Sequence, residues 1–326
     1  MNMKRRSFIC MLPVLGFPVA WNVAYGQAAY PNRPVTLVVG SPPGGQSDLI
    51  ARYLANAVAR ELNQTFVVDN KPGANGIVAL QYAARQPADG YTLAYGVGSW
   101  MAINPGFYPN LPYDPQKDFD PITQIGITPQ CLMLGAHVPA KNLAELIALA
   151  KASPGKFTFA SFGNGSSCLL QGEMLKVAAG IDMLHVPFKG SAPALTEVVA
   201  GRVDMFIIDF APAVAFIKQG RIRPLAMTGT KRYPGFPEVP TFQELGYPLT
   251  MVGWNGLFVP SGTPREIESL LNQKFNAVIR SDEGRSKLLQ LGALATGTTP
   301  DEYRQILKED IAKWREVIVR SGARQN

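Results

Sequence analysis

What most constrains this chain is an alternation of short apolar runs with amphipathic stretches. Val35–Val39, Phe66–Val68, Tyr91–Tyr95, Phe157–Ser161, Val203–Asp209 and Leu225–Thr228 each read as a strand. After the first of them, Leu49, Ile50, Tyr53, Leu54, Ala57 and Val58 recur at the spacing of one helical face. A second helix is predicted over Asn142 to Ala152, opened by Asn142 with Glu145 three residues on and stopped by Ser-Pro-Gly. Such alternation predicts an α/β architecture with largely parallel sheets. Towards the end, Thr263-Pro264-Arg265-Glu266 and Thr299-Pro300-Asp301-Glu302 each set a capping threonine before a proline and a glutamate. Both predict capped helix starts. The last helix is expected to bury Tyr303, Ile306, Leu307, Ile311, Trp314 and Ile318, with Gly322 as its stop.

The chain has 326 residues, 47% apolar and 17% charged, enough to build one large core or two ordinary ones and the wrong balance for disorder. No stretch after residue 20 reaches 18 uncharged apolar residues, so no membrane-spanning helix is expected. Lys4, Arg5 and Arg6 precede an apolar run from Phe8 to Ala20, and small residues follow at Ala24, Gly26 and Ala28. This is the layout of a secretory signal peptide over residues 1–26, with cleavage after 26 or 28 and export to the periplasm. Arg5-Arg6-Ser7-Phe8-Ile9 resembles a twin-arginine motif, but the general secretory route is favoured. The three basic residues of the leader reduce the net charge from +7 to +4 on removal. The remaining Lys and Arg are scattered, which argues against nucleic-acid binding. Cys131 and Cys168 remain after cleavage and are expected as two partly buried free thiols.

Catalytic and cofactor signatures are missing. His137 and His185 have no metal-ligand spacing, there is no Gly-x-Ser-x-Gly elbow, and Gly44-Gly45 is not followed by the Lys-Ser/Thr of a nucleotide loop. No cofactor or metal is expected, and both histidines read as structural. Two small-residue loops remain: Ser41-Pro42-Pro43-Gly44-Gly45-Gln46-Ser47-Asp48 between the first strand and first helix, and Ser161-Phe162-Gly163-Asn164-Gly165-Ser166-Ser167 before another helix. Free amides at a helix start favour an anion, and in open α/β sheets such loops lie at the carboxyl ends of the strands, where ligands bind. Each loop also reads as an ordinary glycine-rich turn, with Asp48 as a simple helix cap. The pair together favours a carboxylate site.

The run Tyr30-Pro31-Asn32-Arg33-Pro34-Val35, then Pro42-Pro43-Gly44-Gly45-Gln46-Ser47-Asp48, resembles the opening of the Bug receptors, the periplasmic solute-binding proteins of tripartite tricarboxylate transporters. The resemblance continues through Asn70-Lys71-Pro72-Gly73-Ala74-Asn75-Gly76, Pro87-Ala88-Asp89-Gly90-Tyr91, Leu111-Pro112-Tyr113-Asp114-Pro115, His185-Val186-Pro187-Phe188-Lys189-Gly190, Trp254 and Thr263-Pro264. It covers nearly the whole chain after the leader.

The resemblance implies a two-lobed binding protein with its ligand in the cleft between lobes, the first lobe at 29–127 plus 253–326 and the second at 128–252. It implies a monomeric receptor that takes small carboxylates and hands them to membrane transporter subunits or to a sensor domain. By position, Pro43, Gly44, Gly45, Gln46 and Asp48 line the first-lobe side, with Ser99 and Trp100 as a second contact. Phe162, Gly165, Ser166 and Ser167 face them. Asp209 either accepts a hydrogen bond from a ligand or water, or caps the following helix. Lys189 adds positive potential to the cleft or is solvated. Trp100 departs from the family pattern, where small or polar residues and histidine are usual. With Phe162, Phe188 and Phe210 it raises an aromatic acid such as terephthalate beside aliphatic acids such as adipate, unless these rings pack behind the loops. Two other functions stay open: an exported hydrolase or isomerase using Ser166 or Ser167 with Asp209, and a sensory or protein-interaction module with a vestigial cleft.

Overall fold

The computed structural model describes residues 30–163 and 165–321. The leader with its twin-arginine-like motif and the proposed stop at Gly322 lie outside the described residues. The chain opens with β1 (Val35–Val39), α1 (Gln46–Leu62), β2 (Phe66–Asn70), α2 (Ile77–Ala84) and β3 (Thr92–Val97). A turn of π-helix over Ser99–Ile103 and the short α3 (Asn104–Phe107) lead to the long β4 (Phe119–Thr128). Beyond Pro129 come β5 (Gln130–Gly135), α4 (Leu143–Ala152), β6 (Phe157–Ser161), α5 (Ser167–Ala179) and β7 (Met183–Pro187). They are followed by α6 (Ser191–Val199), β8 (Met205–Asp209), α7 (Phe210–Lys218) and β9 (Ile222–Met227). The chain ends in β10 (Gly253–Pro260), α8 (Arg265–Arg280), α9 (Asp282–Gln290), β11 (Leu294–Ala295) and α10 (Pro300–Ser321).

The strands form two sheets, ordered β11-β4-β10-β3-β1-β2 and β7-β6-β8-β5-β9. Each sheet has its own apolar core, with Val35, Leu54, Tyr95, Phe258 and Trp314 in one and Leu132, Leu146, Phe159, Phe206 and Phe242 in the other. The fold is a two-lobed α/β architecture. The sheets are mixed, which corrects the expectation of largely parallel ones. β1 runs parallel to β2 and β3, and β6 to β7 and β8. β10 pairs antiparallel with β3 and β4, and β5 antiparallel with β8 and β9. The reason is the crossing. β4 and β5 are separated only by Pro129, so the chain passes straight from one sheet to the other, and β10 returns between β3 and β4. A strand that crosses and one that returns have no helical crossover to make them parallel.

Local capping rules explain the starts of α4 and α10. Asn142 Oδ1 accepts from the Glu145 N–H at 2.9 Å, and Glu145 Oε2 accepts from the Lys141 N–H at 2.7 Å. Thr299 Oγ1 accepts from the Glu302 N–H at 3.2 Å, and Glu302 Oε2 accepts from the Thr299 N–H at 2.8 Å, a closed capping box. The matching box at Thr263 does not form. Thr263 is buried at the end of β10, its hydroxyl donates to the Pro260 carbonyl at 2.7 Å, and α8 begins at Arg265. On α1 the buried stripe is Ile50, Ala51, Leu54, Ala55 and Val58, while Leu49 is 44% exposed. Along α10, Tyr303, Leu307, Ile311, Trp314 and Ile318 are buried. Cys131 and Cys168 are free and fully buried, further in than expected. Burial pushes both thiols up, Cys168 to about 12, so neither ionises near neutrality. No helix of the described residues is long and apolar enough to cross a membrane.

Candidate functional site

The first loop leaves β1 through Gly40 and turns at Gly44, whose φ of +83° is the left-handed region that favours glycine. Pro43 and Gly44 are exposed, and Gly45 and Gln46 half-buried. Helix α1 begins at Gln46, so its first N–H groups have no helical partner. Asp48 lies behind this surface, 2% exposed. Its Oδ2 accepts from the Gly44 N–H at 2.8 Å and from Arg52 Nε at 3.0 Å. Its Oδ1 accepts from Asn70 Nδ2 at 2.9 Å and faces the Arg52 guanidinium at 3.0 Å. Burial raises the Asp48 carboxyl, but the hydrogen bonds from Arg52, Gly44 and Asn70 outweigh it and hold it below the usual range. With four donors on two oxygens, Asp48 braces the loop from inside, and the first helical cap is Gly45, with no side-chain cap bond.

The second first-lobe contact sits beyond β3. Ser99 is half-buried and Trp100 is 7% exposed. The indole fills the space between Gly40 and Gly76: a Cβ on Gly76 would lie 2.4 Å from Trp100 Cδ2, and one on Gly40 3.1 Å from its six-membered ring. The Trp100 carbonyl accepts from the Tyr113 hydroxyl. The side chain belongs to the first core, behind the loops.

In the second lobe β6 ends at Ser161 and α5 starts at Ser167. Gly165 turns with φ of +74°. Ser166 Oγ donates to the Gly163 carbonyl at 2.5 Å and lies 3.2 Å from Cys168 Sγ. Neither Ser166 nor Ser167 has a histidine partner among the described residues. His185 instead pairs with Ser161, Nε2 to Oγ 2.7 Å, and Ser161 Oγ in turn accepts from the Gly163 N–H at 3.2 Å. Burial, helped by Lys176, lowers the His185 pKa. Phe162 packs its edge on Phe206, with centroids 6.3 Å apart. Phe188 is half-buried against the second core, and Lys189 is exposed.

Asp209 ends β8 opposite Gln130 of β5 and precedes α7. It stands at the N-cap of α7 and makes no side-chain cap bond. Its Oδ1 is sealed from solvent without a hydrogen-bond partner, as is Gln130 Oε1. Burial raises the Asp209 carboxyl to about 6, against a lowering hydrogen bond from Gln130. Phe210 is buried and stacks on Tyr233 and Phe236 at 5.2 and 4.8 Å.

The lobes meet at several places. A Cβ on Gly165 would lie 3.0 Å from the Phe107 ring of α3, just beyond Ser99 and Trp100. Gln46 and Ala211 flank Gly292 from opposite lobes: a Cβ there would lie 3.0 Å from Gln46 Nε2 and 2.8 Å from Ala211 Cβ. Leu170 of α5 lies within the first core. The first loop thus reaches the second lobe's Ala211 across Gly292, and the second loop reaches the first lobe at Phe107. Trp100 and Phe210 are taken up by packing and Asp48 by its brace. Gln130, Asn70, Phe107 and the Ser161–His185 pair were not singled out from sequence. Only the Asp48–Arg52 pair, four residues apart on a helix, carried a local signal. Among the described residues no group of three His, Cys, Asp or Glu is arranged to hold a metal.

A family model described as tripartite tricarboxylate transporter family receptor matches residues 50–323. Among solved structures, R. palustris Rpa4515 with adipate is 36% identical, with a TM-score of 0.83 over 90% of this chain and 98% of that one. The periplasmic binding protein BugD is 30% identical, with a TM-score of 0.80 over 91% and 100%. MatC (Rpa3494) from Rhodopseudomonas palustris with bound malate is 31% identical, with a TM-score of 0.79 over 89% and 100%.

Proposed function

The chain belongs to the tripartite tricarboxylate transporter receptor family, and from that premise we propose that it is a periplasmic receptor that captures a small dicarboxylate between two lobes. The observation that carries this reading is the first loop. Its outer surface offers the unpaired N–H groups of α1, while the carboxylate that would repel an anion is turned inward and neutralised by Arg52. One ligand carboxylate is received there and at the Gly165–Ser167 turn, by amides and hydroxyls without an arginine clamp. The lobes comprise 29–127 with 253–326 and 128–252, in keeping with the strand break at Pro129 and the return at β10. Ligand favours the closed arrangement by binding it more tightly, and the closed surface is what transporter subunits read. The ligand leaves chemically unchanged, and the receptor works as a monomer.

For the ligand we propose an aliphatic dicarboxylate ahead of terephthalate. Trp100 and Phe210 are committed to packing, which leaves the half-buried Phe162 and Phe188, both packed against the second core, to meet an aromatic ring. The relatives with adipate and malate support the aliphatic class. Asp209 Oδ1 and Gln130 Oε1 are acceptors awaiting a donor, which a ligand hydroxyl, a protonated acid or a bridging water supplies. Calorimetric titration with adipate, malate and terephthalate tests the reading. The unmodified protein is expected to bind an aliphatic acid, and Gly45→Val to lose that binding while melting as before. Unchanged affinity in Gly45→Val removes the first loop from the site.

A further inference from the structure

Helix α9 ends in the turn Leu289–Gly292, which lies on the first lobe with Leu288 and Ala293 in its core. Side chains from both lobes grip this turn. From the first lobe, Gln46 Nε2 donates to the Leu291 carbonyl at 2.7 Å. From the second, the Tyr233 hydroxyl donates to the Leu289 carbonyl at 3.2 Å. Tyr233 is 7% exposed and its ring stacks face to face on Phe210, with centroids 5.2 Å apart and planes 10° from parallel. Phe210 stacks in turn on Phe236 at 4.8 Å. Ala211, the next residue, closes on Gly292 so tightly that a methyl group there would stand 2.8 Å from its Cβ. Gln46 therefore ties the turn to the first candidate loop, and the Asp209–Ala211 segment ties it to the sealed acceptor of the second lobe.

We propose that the Leu289–Gly292 turn is a closure clasp: a contact outside the ligand pocket that holds the lobes together and couples closure to both candidate ligand loops. The inference rests on the two-lobed receptor reading. The chemistry is that of a latch. Opening the lobes breaks the Tyr233 hydrogen bond, and the Leu289 carbonyl keeps the Gly292 N–H at 3.0 Å. A ligand that orders Gln46 on one side and Asp209 on the other steadies both jaws at once. Only glycine lets the jaws meet, because any Cβ at 292 fills the gap that Ala211 occupies on closure.

The test uses ligand-free, full-length mature protein with spin labels at Arg60→Cys and Lys151→Cys, one exposed site on each lobe, and reads the distance distribution by pulsed electron resonance. Tyr233→Phe keeps the ring stack and removes only the hydroxyl. It is expected to lower the closed-to-open ratio about 2- to 10-fold, the effect of one hydrogen bond, and to raise the adipate or malate dissociation constant by a similar factor. Gly292→Ala is expected to open the lobes further, and adding Ala211→Gly to restore closure. That rescue separates a steric clasp from backbone strain at the positive φ of residue 292. Distance distributions that match the unmodified protein in both single variants overturn the clasp, as does opening in Gly292→Ala that Ala211→Gly does not relieve. If the unmodified protein binds neither acid while Tyr233→Phe still opens the lobes, the clasp stands and the ligand assignment fails.

Discussion

Asp48→Ala puts a number on the brace of the first loop. The carboxylate receives the Gly44 N–H, Asn70 Nδ2 and the Arg52 guanidinium. The Gly44 and Asn70 bonds end on a buried charged acceptor, and such bonds are worth about 1.5–3 kcal/mol each. Arg52 is 46% exposed and rehydrates once released, so its share falls to the scale of surface pairs, about 0–1 kcal/mol. These contributions overlap, and the expected loss is about 3 kcal/mol. For a chain of this size that lowers the melting temperature by roughly 5 °C. Because the folded carboxyl lies below its unfolded value, its stabilisation is present above about pH 4 and is lost as pH falls through the lowered folded pKa. Scanning calorimetry of ligand-free protein is expected to show the full deficit at pH 7, with variant and unmodified protein converging in acid. A deficit under about 2 °C at pH 7, or one that does not shrink in acid, would refute the brace.

Three further outcomes are expected. Gly76→Ala introduces a Cβ 2.4 Å from Trp100 at a φ of +79°, so left-handed strain and overpacking together cost about 2–5 kcal/mol, with a changed tryptophan emission as the optical readout. Thr299→Ala loses a cap bond and about 1 kcal/mol in denaturant melts, while Thr263→Ala slows or shifts nothing in the α8 cap, because its hydroxyl serves Pro260; equal cap-type losses with preserved Pro260 geometry would contradict this. Asp209 has a folded pKa of about 6, so its neutral form is favoured and its contribution is lost as pH rises from about 4 through 6. Asp209→Asn is therefore expected to gain stability over unmodified protein at pH 7 but not at pH 4, measured without ligand.

The α/β class, both candidate loops and the caps at Asn142 and Thr299 were legible because each is written within a few residues. Thr263 carried the same Thr-Pro-x-Glu pattern as Thr299 and took a different partner, since burial beside Pro260 outranks a local cap. The antiparallel pairing of β10 was illegible because it depends on a crossing and a return more than a hundred residues apart. Trp100 looked free to meet a ligand in sequence, and only the approach of Gly40 and Gly76 turns its ring inward. Asp48 read as a cap or a ligand contact, and Asn70, far along the chain, makes it a brace. Asp209 was placed at a strand end correctly, but its unpartnered oxygen follows from the packing of β5 against β8.

The central claim, capture of a small aliphatic dicarboxylate, is tested most directly by thermal stabilisation of the mature protein against a panel of acids and uncharged analogues. A ligand at about 100 times its dissociation constant adds roughly 2.7 kcal/mol of stability. The account predicts a clear upward shift with an adipate- or malate-like acid, a smaller one or none with terephthalate, and none with the matching diamides. A well-folded protein that no acid stabilises, or that the uncharged diamides stabilise equally, would contradict it.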